Sequence, residues 1–202
     1  AVAARRLAVS AGATPAAVAA AAVPKKNILI LGGTRFIGVY LARDLIKAGH
    51  EVTLLTRGKA PITQQIADDT DASYAEYKSK VKHIAADRKE NDALIAKLKS
   101  VSPSFDVVYD LNGREASEAE PILDALPNLE QYIFCSSAGV YLKTDQPPHV
   151  EGDATDPKSR HKGKCETEAL LDKRGVNWTS IRPVYIYGPL NYNPVEEWFF
   201  HR

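Results

Sequence analysis

The fold is decided by the stretch Asn27-Ile-Leu-Ile-Leu-Gly-Gly-Thr-Arg-Phe-Ile-Gly38. Its first five residues form an apolar run without a polar face, which is typical of a strand buried in a parallel sheet. After the glycine-rich turn, Ile37, Leu41 and Leu45 recur every four residues, which predicts an amphipathic helix over 36–48. Small residues between such a strand and helix let backbone amides approach a phosphate. The stretch therefore predicts the opening βα turn of a dinucleotide-binding fold.

The rest of the chain repeats this alternation of strand and helix. Further apolar runs lie at 52–55, 81–84, 105–109, 132–135 and 178–181, and helical patterns lie at 91–100, 115–126 and 158–173. The polar stretch 59–80 has little periodicity and indicates a surface insertion. Alternating elements at this pitch predict an α/β fold, a doubly wound, Rossmann-like parallel sheet of at least six strands. We assign residues 25–190 to this domain.

Composition excludes several classes of protein. Of 202 residues, 45% are hydrophobic and 25% are charged, as in an ordinary soluble globular domain. Two cysteines, Cys135 and Cys165, are too few for a disulfide scaffold and lack the spacing of a zinc site, and they indicate packing residues. The longest apolar stretch, 16–23, is too short to cross a bilayer, so we expect no transmembrane segment.

The first 24 residues differ from the rest. They contain twelve alanines, Arg5 and Arg6, and no acid, a composition typical of an organelle transit peptide. We expect 1–24 to be a transit-peptide remnant or a disordered tail. Without them, 24 basic residues face 25 acidic ones, a net charge of −1. Net charge therefore gives no support to nucleic-acid binding, which would need a local basic patch.

One such patch exists. We call residues 158–164 the basic segment, because five of its seven residues are cationic or titratable: Lys158, Arg160, His161, Lys162 and Lys164. On a helix, its cations would form like-charge pairs four residues apart, which repel unless an anion offsets them. RNA phosphates would suit the segment, and a solvated basic face is the alternative. Four tyrosines are candidate stacking surfaces, or simply packing residues: Tyr141, Tyr185, Tyr187 and Tyr192.

Three segments resemble the extended and atypical short-chain dehydrogenases/reductases, which are NAD-dependent epimerase/dehydratase-like. Residues 31–38 resemble the nucleotide loop of that family, 136–141 the end of its active-site strand, and 181–189 its sixth-strand loop beside the nicotinamide. The resemblance implies that nine residues contact a dinucleotide: Gly32, Thr34, Arg35, Phe36, Ile37, Gly38, Arg57, Asp87 and Arg88. Arg35 replaces the middle glycine of the loop. Arg57 stands where an acid would select NAD, so NADP(H) is favoured, with a solvated surface arginine as the alternative.

The catalytic pair of the family is incomplete. Family members place a tyrosine four residues before a lysine, and the lysine lowers the pKa of that tyrosine. Lys164 is in register, but Arg160 occupies the tyrosine position and cannot give up a proton. Ser137 is retained and would hydrogen-bond a ligand oxygen. His161 lies one residue further along the predicted helix, about 100° around it. We expect dehydrogenase chemistry to be lost; an NADP-dependent reductase or sugar-nucleotide epimerase with a reassigned acid is the alternative.

The run 25–202 is more closely similar to an RNA-binding plastid branch of this family, with 156–164 and 189–202 as the most specific stretches. This similarity implies a chloroplast stromal, ribosome-associated protein that binds stem-loop RNA, with endoribonuclease activity in RNA processing. It also implies a homo- or hetero-oligomer with a related subunit. Family members continue into a C-terminal substrate domain, so we expect 191–202 to begin that domain. No spacing among His149, His161 and the nearby acids identifies a nuclease residue or a metal ligand.

Overall fold

A computed structural model describes residues 24–101 and 103–191. Six parallel strands form one sheet: β1 Asn27–Leu31, β2 Glu51–Thr56, β3 Lys82–Ala85, β4 Val107–Asp110, β5 Gln131–Cys135 and β6 Trp178–Ile181. Five helices connect them: α1 Ile37–Lys47, α2 Asp71–Lys80, α3 Asn91–Lys99, α4 Ala116–Ala125 and α5 Lys162–Lys173, with a 3₁₀ turn at Ala138–Val140. The strand order is β3-β2-β1-β4-β5-β6. The predicted doubly wound fold and strand order are confirmed.

The core has one layer on each face of the sheet. On one face α3, α4 and α5 cover β4 and β5, and Leu94, Ile122 and Leu171 are fully buried there. On the other face α1 and α2 cover β1 and β2, around Ile30 and Tyr77. All six strands run the same way, so their carboxyl ends meet at one edge of the sheet. The loops that follow the strands are therefore gathered along that edge, where doubly wound folds bind their ligands.

The stretch 59–80, predicted as a surface insertion with little periodicity, contains the helix α2. Thr70 caps this helix: its hydroxyl accepts from the Ser73 amide at 3.1 Å, and the Ser73 hydroxyl accepts from the Thr70 amide at 2.9 Å. Such a capping box satisfies amides that a helix start leaves unpaired. Tyr77 is the one residue of α2 that is buried in the core, so the sequence of this helix has no apolar stripe from which it could be predicted.

The prediction that α5 begins at Lys158 was wrong, because α5 begins at Lys162. Side chains hold 158–161 in a turn. The Asp156 carboxylate accepts from the Lys158 amide at 2.8 Å, and the Ser159 hydroxyl accepts from the His161 amide at 3.0 Å. Local bonds of this kind compete with helix formation. The predicted like-charge pairs four residues apart on a helix therefore do not form, and His161 is the N-cap residue.

Two predictions lie mainly outside the described residues. These are the transit-peptide remnant at 1–24 and the start of a further domain at 191–202. Within the described ranges, no helix is long and apolar enough to cross a membrane.

Candidate functional site

The glycine loop, Gly32 to Gly38, brings the start of α1 against the end of β1. Gly32 and Gly33 have φ values of 110° and 95°, which other residues rarely adopt. A Cβ at Gly33 would lie 2.7 Å from Leu54 Cδ2, and one at Gly38 would lie 2.6 Å from the Gly33 Cα. No side chain caps α1 and no acid lies in its first turn. The positive end of the helix therefore faces the loop uncompensated, as an anion site requires.

The other residues expected to contact a dinucleotide are distributed along this edge. Thr34, Phe36 and Ile37 are half-buried in the loop, and Arg35 is exposed. Ile37 also lines an apolar cavity of about 300 Å³ between α1 and the ends of β4, β5 and β6. Arg57 is exposed directly after β2. The glycine loop thus keeps the close packing of a dinucleotide turn, and Arg57 stays exposed at the end of β2.

Arg88, one of the residues expected to contact a dinucleotide, is bonded within the fold. Its guanidinium donates to both carboxylate oxygens of the fully buried Asp110 at 2.9 and 3.0 Å. It also donates to the Asn112 side-chain oxygen at 2.6 Å and to the Glu118 carbonyl oxygen at 2.9 Å. These bonds direct Arg88 into the fold. Its neighbour Asp87 is half-buried, and its carboxylate accepts from the Lys89 amide at 3.1 Å.

Asp110 organises the loop 111–114 between β4 and α4. Burial raises the pKa of its carboxyl group, but the charge and hydrogen bonds of Arg88 outweigh burial and hold that pKa below its usual range. The carboxylate also accepts from the Gly113 amide at 2.8 Å and from the Tyr132 hydroxyl at 2.8 Å. Sequence reasoning missed this cluster. The available signal was a single acid, Asp110, at the end of an apolar strand.

Lys164 reaches the same loop from α5. Its ammonium donates to the Gly113 carbonyl oxygen at 2.9 Å and to the Cys135 carbonyl oxygen at 2.7 Å. Burial is the main cause of a lowered ammonium pKa. Lys164 therefore holds the ends of β4 and β5 to α5. This corrects its predicted place among the exposed cations of the basic segment.

Ser137, Arg160 and His161 meet beside Gly139. A Cβ at Gly139 would lie 2.6 Å from His161 Cδ2 and 3.3 Å from the Ser137 hydroxyl oxygen. The Arg160 Nε–H donates to His161 Nε2 at 3.0 Å. Burial, then the charges of Arg160 and Lys164, lowers the pKa of His161 below its usual 6.5. The structure brings these three residues together, with Arg160 in the turn before α5.

The ring of Tyr141 contacts two other side chains. Its ring stacks on His149 with centroids 4.6 Å apart, and the Arg182 guanidinium lies 4.8 Å from its centroid. Arg182 in turn pairs with the buried Glu168. Tyr141 is thus a packing residue rather than a free stacking surface. Tyr185 and Tyr187 are 79% and 75% exposed, whereas Tyr192 lies outside the described residues.

Cysteine and metal chemistry find little support in the described part of the chain. Burial raises the pKa of the Cys135 and Cys165 thiols, which disfavours the thiolate. In residues 24–101 and 103–191, no three His, Cys, Asp or Glu side chains are grouped as metal ligands would be.

Comparison with known proteins gives relatives of two kinds. The chain is 66% identical over 178 residues to the chloroplast stem-loop binding protein of 41 kDa b of Arabidopsis thaliana, covering 88% of this chain and 47% of that protein. It is 28% identical to the spore coat polysaccharide biosynthesis protein SpsK of Bacillus subtilis, covering 84% and 56%. The chain thus spans about half the length of the curated relatives it matches.

Solved structures share the fold. The Bordetella bronchiseptica enzyme WbmH, solved with NAD⁺, superposes with a TM-score of 0.68 at 16% identity, covering 89% of this chain and 62% of that one. The sequence profile of one family matches residues 28–200. With the glycine loop at the centre of a doubly wound sheet, that match shows that the chain belongs to the NAD dependent epimerase/dehydratase family.

Proposed function

We propose that this chain is part of a plastid protein that binds stem-loop RNA on an epimerase-like fold. The observation that carries the proposal is its 66% identity to a chloroplast stem-loop binding protein over 88% of its length. The finer parts of the proposal follow from the family resemblance of the sequence alone. These are location in the chloroplast stroma, association with ribosomes, assembly with a related subunit, and endoribonuclease activity in RNA processing.

The geometry of Arg160 and Lys164, which align with the catalytic tyrosine and lysine of the family, favours this proposal over oxidoreductase chemistry. Proton exchange with a substrate hydroxyl needs a group that can ionise. Arg160 stays charged, and Lys164 is bonded to two backbone carbonyls. His161 lies beside Ser137 and carries an imidazole that can exchange a proton, so we propose it as the base for either reaction. Arg160 would have to release its hydrogen bond to His161 Nε2 for that exchange.

The basic segment supplies a phosphate-binding surface. Lys158, Arg160 and Lys162 are exposed, and none of them pairs with an acid among the described residues. Ser159 anchors the turn that carries them, because its hydroxyl donates to the Gly139 carbonyl oxygen at 2.6 Å. The three cations are therefore held at the carboxyl end of β5 and remain open to a ligand phosphate.

The proposal is tested by removing three positive charges in two places. In the first variant Lys158, Arg160 and Lys162 become glutamine; in the control, the exposed Lys47, Lys78 and Lys99 become glutamine. Binding of a labelled stem-loop is titrated over a range of salt. We expect the first variant alone to lose affinity at least tenfold and to flatten the log–log salt slope by roughly 2, because three phosphate contacts are lost. Equal affinities for parent and first variant would contradict the proposed site.

A second candidate function is that of an NADP-dependent reductase or sugar-nucleotide epimerase. The geometry of the glycine loop favours it, since Gly33 and Gly38 pack as a dinucleotide turn requires. A bound dinucleotide would supply hydride chemistry, the glycine loop would hold its pyrophosphate, and Arg57 would hold a 2′-phosphate. NADPH absorbance with a panel of sugar nucleotides tests for the reductase. Chromatography of the sugar nucleotides tests for the epimerase, because an epimerase returns its hydride and leaves the absorbance unchanged. Turnover without any salt-dependent RNA binding would place it ahead of the RNA-binding proposal.

A further inference from the structure

Unpaired cations follow the strands along the carboxyl edge of the sheet. Within four residues of its end, every strand except β5 is followed by an arginine or lysine, and Asp87 is the only acid in these positions. Arg88 and Arg182 are paired with acids in the fold. The others are exposed and have no ion-pair partner among the described residues: Arg35, Arg57, Lys59, Lys89 and Arg114.

At the opposite, amino edge of the sheet, the lysines that flank the strands form ion pairs. Lys25 and Lys82 both pair with Glu51, at 2.5 and 2.8 Å, and Lys26 pairs with Glu130 at 2.5 Å. The hydrogen bonds and charges of both lysines lower the pKa of Glu51 to about 2. The lysines that flank the strands at the amino edge are therefore paired, whereas five of the seven cations that follow the strands at the carboxyl edge are available for a ligand anion. The exposed Lys47, Lys78 and Lys99 of the amino edge lie instead in the last turns of α1, α2 and α3.

The loops that carry these unpaired cations touch one another. A Cβ at Gly32 would lie 3.6 Å from the Asn112 side chain, which joins the glycine loop to loop 111–114. A Cβ at Gly163 would lie 2.4 Å from the Arg114 carbonyl oxygen, which joins that loop to α5. The charge of Arg114 also helps to lower the pKa of Lys164. Arg35, Arg114 and the basic segment thus belong to one continuous surface.

We propose that RNA follows this whole edge, an inference that rests on the proposed function. The RNA backbone would run from the basic segment past Arg114 and Arg35 to Arg57. Neighbouring strands lie about 4.8 Å apart, so the loops after β2 and β5 are separated by roughly 15 Å, enough for several nucleotides. Tyr185, exposed after β6, is available to stack an unpaired base. The path crosses the glycine loop, so RNA occupies the surface that a dinucleotide pyrophosphate would use.

The test removes three charges at the far end of this path. Arg35, Arg57 and Arg114 become glutamine, and the glutamine variant of Lys47, Lys78 and Lys99 again serves as the control. The probe is a labelled stem-loop with a single-stranded flank, titrated over a range of salt. We expect the arginine variant to bind at least tenfold more weakly, with a salt slope flatter by roughly 2, because each lost phosphate contact removes 0.7 to 0.9 from it. Melting temperatures should match the parent, since these side chains are exposed.

Two outcomes would overturn the inference, and they are distinguishable. If the arginine variant keeps the affinity and slope of the parent while the variant of the basic segment loses both, RNA binds the segment alone and the proposed function stands. If the parent itself shows no salt-dependent binding of the stem-loop, the proposed function fails together with the inference.

Discussion

At the scale of single residues, the positions of the cations decide which of them can meet a ligand. Lys162 and Lys164 are two residues apart, yet Lys162 is exposed and Lys164 donates to the carbonyl oxygens of Gly113 and Cys135. Two arginines that follow strands also differ, because Arg57 is exposed whereas Arg88 is bound to the buried Asp110. Sequence proximity therefore groups residues that have different physical roles.

This difference predicts unequal costs for one substitution at two sites. Lys164→Met leaves two carbonyl oxygens without their donor, so we expect a loss of about 1–3 kcal/mol of unfolding free energy. Lys162→Met removes an exposed side chain and should change that free energy by less than about 0.5 kcal/mol. Urea unfolding of both variants gives the comparison. Similar losses for the two would show that the bonds of Lys164 do not stabilise the fold.

At the scale of elements, α5 depends on a close approach to loop 111–114. Gly163 is buried in the first turn of α5, and a Cβ there would meet the Arg114 carbonyl oxygen at 2.4 Å. Alanine is the better helix former by about 1 kcal/mol. The clash should outweigh that gain, because a backbone atom must move to relieve it.

We therefore expect Gly163→Ala to destabilise the protein by about 1–3 kcal/mol. Gly152→Ala is the matched control, since a Cβ at Gly152 would meet nothing within 4 Å. Thermal unfolding followed by circular dichroism measures both. A Gly163→Ala variant as stable as the parent would mean that loop 111–114 moves away from the added methyl group without a loss of unfolding free energy.

The ion pair between Glu168 and Arg182 joins α5 to the end of β6 and gives a pH prediction. Burial raises the pKa of Glu168, but hydrogen bonds from Arg182 and Ser180 outweigh it and hold that pKa below its usual 4.5. A carboxyl group whose pKa is lower in the folded state than in the unfolded state stabilises the fold at pH values above the unfolded pKa. This stabilisation is lost as the pH falls from the unfolded pKa through the folded pKa. The stability difference between the parent and Glu168→Gln should therefore be constant from pH 7 to 6 and shrink below about pH 4.5. Urea midpoints at pH 7, 5, 4 and 3 measure it, and a difference that stays constant down to pH 3 would contradict the argument.

At the scale of the whole molecule, one edge of the sheet is open to two ligands. The glycine loop keeps the geometry of a dinucleotide site, and the proposed RNA path crosses it. If Arg57 binds a 2′-phosphate as proposed, NADPH should raise the melting temperature more than NADH does. We also expect NADPH to displace a labelled stem-loop at concentrations where it raises the melting temperature. Simultaneous binding of both ligands would show that RNA leaves the glycine loop free.

The sequence by itself determined the fold, because a strand buried in a parallel sheet needs a continuous apolar run and an amphipathic helix needs apolar residues every three to four positions. It also determined the position of the glycine loop between β1 and α1. It missed α2, whose single buried residue and capping box leave no periodic pattern. Only the tertiary structure decided which cations face solvent. The partner of Arg88 lies 22 residues away and those of Lys164 lie 29 and 51 residues away. Folding brings such partners together, and no local pattern of charge encodes the contact.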